Sequence, residues 1–141
     1  MKMSAVLPKN HIKGYVLGGR AVVTIFNTTP KVKSVSQFVY TVKASKYLGW
    51  NVYHSGSYLG HIHTDHILKL QENFKVDTLY GQAKEVFAWF WQKLMTDSIP
   101  NNIRVYHSGY CGKCGRLLTD AVSLETGFGP ECRRKLGIKV N

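Results

Sequence analysis

Three cysteines and a histidine fall within one short stretch of the chain: His107, Cys111, Cys114 and Cys132, spaced His-x3-Cys-x2-Cys-x17-Cys. These residue types supply the nitrogen and sulfur donors that a tetrahedral zinc ion takes, and three cysteines with one histidine form a closed structural set, the histidine being His107 or one of the other five folded back to the site. A Cys-x2-Cys pair suits a tight knuckle in which two thiolates reach one ion, with Gly112 and Gly115 beside it to ease the turn. Cys132 follows Pro130 by two residues, which predicts a helix over 130–136 with the thiol in its first turn. A helix N-terminus favours the thiolate, the metal-binding form.

A segment this short has too little apolar bulk to build a core, so one structural Zn²⁺ is expected to hold it together. The split between a knuckle and a helix start has the logic of a treble-clef finger. A redox Cys-x2-Cys calls for a βαβ context, which is missing here. A catalytic zinc calls for an open position and a nearby acid or base. An odd cysteine count in one region is also a poor disulfide framework, which fits a reducing compartment.

The run Cys111-Gly-Lys-Cys114-Gly-Arg116-Leu-Leu118-Thr119, then Ser123, then Gly127-Phe-Gly129-Pro130-Glu-Cys132, resembles a zinc-finger-like domain of unknown function. That domain recurs in phage and bacterial proteins with the pattern C-x2-C-G-R-x-L-T…S…G-x-G-P-x-C. The upstream pieces Ala21 to Phe26, Phe38-Val-Tyr40, Tyr58-Leu-Gly60 and Phe87-Ala-Trp89 are similar to phage proteins that end in it. The resemblance implies a phage or prophage origin and a zinc fold. It carries no mechanism.

Ahead of this segment the chain reads as α+β. Ala21 to Asn27, Gln37 to Lys43, Gly49 to His54 and Tyr58 to Ile62 are rich in β-branched and aromatic residues and predict an antiparallel meander, with a hairpin turn at His54-Ser-Gly-Ser57. Asp77 and Thr78 are suited to cap a helix over about 78–95, whose apolar stripe is Ala83, Val86, Phe87, Phe90 and Leu94. One helix covering the meander, with a small treble-clef-like zinc module behind it, is the expected architecture. The expected divisions are a basic N-terminal arm over 1–18, an α+β domain over 19–98 and a zinc-binding module over 103–141.

The charge is uneven. The chain carries 19 Lys and Arg against 8 Asp and Glu, and residues 1–64 contain eight of those bases and no acid. A field of this sign attracts polyanions, nucleic acid first among them. Lys31, Lys33, Lys43, Lys46, Lys113, Arg116, Arg133 and Arg134 are the candidate phosphate contacts. The alternative is a phage-encoded inhibitor that binds a host defence protein, of anti-CRISPR or anti-restriction type, or a transcription protein. A chain with net charge +11 needs an acidic target for that.

His61-Ile-His63 puts two imidazoles on one strand face, but nothing at useful spacing completes a metal set, so they read as exposed strand-end histidines. Phosphate-loop, nucleophile-elbow and zinc-protease motifs are all missing, so no enzymatic activity is expected. The N-terminus has no apolar run of signal-peptide type, which points to the cytoplasm.

Overall fold

The computed structural model describes residues 5–28, 37–72 and 78–138. Among these, seven strands form one antiparallel sheet: β1 (Ala5–Val6), β2 (Arg20–Asn27), β3 (Gln37–Ala44), β4 (Trp50–His54), β5 (Ser57–Ile62), β6 (Leu68–Leu70) and β7 (Ile103–His107). Their order across the sheet is β1-β7-β2-β3-β4-β5-β6. Four helices accompany them: α1 (Lys9–Val16), α2 (Leu79–Met95), α3 (Ala121–Thr126) and α4 (Pro130–Leu136). The α+β class therefore holds. The four expected strands are present, and β6, β7 and β1 extend the sheet beyond them.

Alternation sets the two faces. Ala21, Val23 and Ile25 of β2, Phe38, Tyr40 and Val42 of β3, and Val52 of β4 are buried on one side. The β4–β5 turn uses Ser55 and Gly56 at φ 49° and 79°, a two-residue left-handed turn whose twist matches the strands it joins. Helix α2 starts at Thr78, whose hydroxyl accepts from the Gly81 N–H at 3.0 Å. Its buried stripe of Ala83, Phe87, Phe90, Trp91 and Leu94 lies on the sheet. The Tyr40 hydroxyl donates to the Ala83 carbonyl at 2.6 Å, and the Tyr40 and Phe87 rings are 4.9 Å apart. Burial drives the Tyr40 phenol well above its ordinary range, so it stays a donor.

The expected N-terminal arm over 1–18 is corrected for residues 5–18, which pack onto the sheet and bury Leu7, Ile12, Tyr15 and Val16. β1 pairs with β7, and Leu7 N–H donates to the Val105 carbonyl at 2.7 Å. Ile12, Tyr15 and Val16 form an i, i+3, i+4 apolar stripe that α1 buries, while Lys13 faces solvent. The expected boundary near residue 103 also needs correction, because β7 lies between β1 and β2 inside the sheet. Tyr15 shows why the two parts are continuous. Its ring lies 5.7 Å from that of His107 and 6.0 Å from that of Phe128, and its hydroxyl is 3.3 Å from both the N–H and the carbonyl of Val22.

Helices α1, α2 and α3 all attach to the face that carries Tyr40, Trp50 and His107, and α4 is tied to α3. Among the described residues no helix is long and apolar enough to cross a membrane.

Candidate metal centre

After β7 the chain doubles back at the knuckle. Tyr110 bridges to Leu117, Cys111 N–H donates to the Arg116 carbonyl at 2.7 Å, and Gly115 N–H donates to the Cys111 carbonyl at 3.0 Å. Gly115 sits at φ 79°, a conformation that favours glycine. Gly112 is small for a different reason: a Cβ there would come within 2.7 Å of the Tyr15 ring. The loop then enters α3, where Asp120 caps the helix by accepting from both the N–H and the hydroxyl of Ser123, at 3.1 and 2.6 Å. Those two bonds, hydroxyl first, hold the Asp120 carboxyl below its ordinary range. Gly129 and Pro130 start α4 and place Cys132 in its first turn.

The sulfurs of Cys111, Cys114 and Cys132 lie within 4.8 Å of one another, and all three cysteines are free. A tetrahedral ion with Zn–S bonds of about 2.3 Å holds its sulfurs about 3.8 Å apart, so the cluster fits a metal ion with little movement. The electrostatics agree. Burial pushes the Cys111 thiol up, but backbone N–H groups of Cys114, Gly129 and Lys113 outweigh it and bring the thiol down to about 7. Burial, with the crowding of the other two sulfurs, pushes Cys132 up to about 11. Sulfur crowding is the penalty that a divalent cation between the three would remove. Cys114 and Cys132 open on a groove of about 340 Å³, also lined by Asp120 and Glu131.

His107, the expected fourth ligand, is not brought into this cluster. It is buried, its Nδ1 accepts from the Gly109 N–H at 2.9 Å, and its Nε2 donates to the Leu124 carbonyl at 2.5 Å. With both ring nitrogens engaged, no lone pair is left for a metal. Ile103, Val105 and His107 alternate inward on β7, so His107 occupies a core position that register, not ligand spacing, assigns.

The candidate phosphate contacts separate into groups. Lys43 and Lys46 are exposed, with Nζ 5.7 Å over the Tyr53 ring and 5.1 Å over the Tyr47 ring respectively. Lys113 and Arg116 are exposed on the knuckle. Arg133 is corrected to an internal role: its Nη1 donates to Ser123 Oγ and to the Phe128 carbonyl, both at 2.7 Å, tying α4 to α3. Arg134 is exposed and lies 3.9 Å from Glu131. Lys31 and Lys33 lie outside the described residues.

Arg20 escaped sequence reasoning. It pairs across strands with Lys43, and its guanidinium reaches the Cys114 carbonyl at 3.4 Å. It therefore joins the basic end of β2 to the knuckle that carries Lys113 and Arg116. Only the register reveals this, since Arg20 is 94 residues from Cys114.

Residues 105–137 match a family of unknown function, DUF6011. The match takes in all three cysteines and covers less than half of the chain. No curated protein and no solved structure matches the chain. The class that the fold and the site define is an antiparallel α+β protein with a cluster of three cysteines placed to hold a metal ion.

Proposed function

We propose that this protein binds nucleic acid through the phosphate backbone, without catalysis, and that one structural zinc ion on Cys111, Cys114 and Cys132 fixes the surface that does so. When bound, the ion cross-links the knuckle to α4 in the manner of a treble-clef finger. With His107 engaged elsewhere and no carboxylate grouped with the three sulfurs among the described residues, the fourth ligand is water.

One observation carries the binding half of the reading. The seven strands contain no Asp or Glu, and all four of their cations, Arg20, Lys43, Lys69 and Arg104, share the face opposite the helices. Strand cations of one sign on one face, with Glu72 at the β6 edge the acid beside them, are an electrostatic footprint for a polyanion. Arg20 makes it continuous with Lys113 and Arg116.

The test is a charge reversal at two exposed lysines whose ammonium groups make no hydrogen bond among the described residues, Lys43→Glu with Lys113→Glu. Affinity for oligonucleotides at low salt should fall at least about ten-fold, alike for every sequence, because phosphate contacts carry no sequence information. Circular dichroism and metal content should not change. Unchanged affinity would sink the reading.

The turn between β3 and β4 favours a second reading. Tyr47 and Leu48 at its tip are 78% and 74% exposed beside Lys46. That combination also suits docking on an acidic protein, such as the target of a phage-encoded inhibitor. A pulldown from host lysate before and after nuclease treatment separates the two.

A further inference from the structure

The helix-free face has an internal order. The register places Arg20, Lys43, Asn51, His61 and Lys69 side by side in one row that crosses β2 to β6. His61 Nδ1 and Asn51 Oδ1 are 2.8 Å apart, which fixes the middle of the row. Arg20, Lys43 and Lys69 are exposed. The neighbouring row is Val22, Thr41, Tyr53 and Tyr58. The bulge after Val52 sends Leu59 into the core and leaves Tyr58 opposite Tyr53, with the two rings 5.8 Å apart and tilted by 67°. A cationic row thus runs beside an aromatic pair on a surface free of strand acids.

Resting on the nucleic-acid reading above, we propose that the ligand of this face is a single strand, running across the sheet with phosphates along Arg20, Lys43 and Lys69 and bases stacked on Tyr53 and Tyr58. Strands about 4.8 Å apart make the row about 19 Å long, room for a few nucleotides. A duplex uses such a face poorly. Its bases are already stacked, and its major groove admits a projecting helix or two-stranded ribbon rather than a broad sheet. Unstacked bases can use an aromatic face whatever their identity, and cations beside it hold the backbone. Lys43 Nζ lies 5.7 Å over the Tyr53 ring, so an incoming base takes that place on the ring as the ammonium turns to the phosphate. An acidic peptide would use the cations and gain little from the tyrosine faces.

The experiment is fluorescence anisotropy on the full chain with labelled oligothymidylate, oligouridylate and a DNA duplex of equal length at one salt concentration. The single strands should bind at least about ten-fold tighter than the duplex. Tyr53→Ala with Tyr58→Ala should weaken single-strand binding about ten-fold or more, with duplex affinity unchanged. Tyr53→Phe with Tyr58→Phe should retain binding, because the faces remain, and it guards against a variant that loses its sheet. Duplex binding as tight as single-strand binding, with the alanine variant unaffected, overturns this inference and leaves phosphate binding standing. No binding to any of the three at low salt removes both.

Discussion

The Nε2 of His107 lies 2.5 Å from the carbonyl oxygen of Leu124, a bond that ties the end of β7 to α3. It spends the nitrogen that a metal would need. His107→Gln should therefore keep the full metal content while costing stability, about 1–3 kcal/mol for a buried bond left unmet. Native mass spectrometry beside thermal melts reads both. Loss of metal from a variant that remains folded would restore His107 as a ligand.

Removing a sulfur should do the reverse. Cys114→Ser leaves two thiolates, so zinc should be lost or bound far more weakly, and the knuckle should open as a cooperative unit. Elemental analysis of protein purified without added metal should give one zinc per chain for the wild type and well under one for the variant. A folded, metal-free wild type contradicts the structural role.

His54 sets a pH dependence apart from the metal. It packs against the Phe38 and Tyr40 rings, at 5.8 and 5.7 Å, and burial lowers its pKa. A histidine held neutral in the fold binds its proton more readily when unfolded. Its contribution is therefore full above the unfolded value of about 6.5 and is lost as the pH falls through the lower folded value. His54→Phe should flatten the stability profile as the pH falls below about 6.5. An unchanged slope there means His54 does not contribute.

Tyr40 joins α2 to the sheet through its 2.6 Å bond to the Ala83 carbonyl. Tyr40→Phe keeps the ring contact with Phe87 and removes only that bond, so it should cost about 1–2 kcal/mol by urea unfolding. A neutral substitution would show that packing alone docks the helix.

Much of this architecture was legible in the sequence, for reasons particular residues make clear. β2 to β5 announce themselves by alternation, α2 by its stripe and Thr78, and α4 by Pro130 ahead of Cys132. β6 is three residues long, too short for a pattern. α1 was obscured by its lysines and Gly14, although Ile12, Tyr15 and Val16 carried the signal. α3 was marked only by Asp120 and Ser123. At the candidate site, the cysteines were evident by type and spacing. His107 fitted the same pattern but takes an inward place on a strand. Arg133 looked like surface charge but is turned inward by Ser123 and the Phe128 carbonyl. The cationic row from Arg20 to Lys69 depends on registers between four strand pairs, which composition does not encode.

The most direct test of the account is the affinity of wild-type protein for a single-stranded oligonucleotide as salt rises from about 50 to about 200 mM. Three phosphates neutralised by Arg20, Lys43 and Lys69 give a log–log slope of about −2, a fall of roughly ten- to twenty-fold over that range. That slope should shrink when Lys43 and Lys69 are replaced by glutamine. A flat response, or no binding at the lowest salt, contradicts the claim that this face holds nucleic acid.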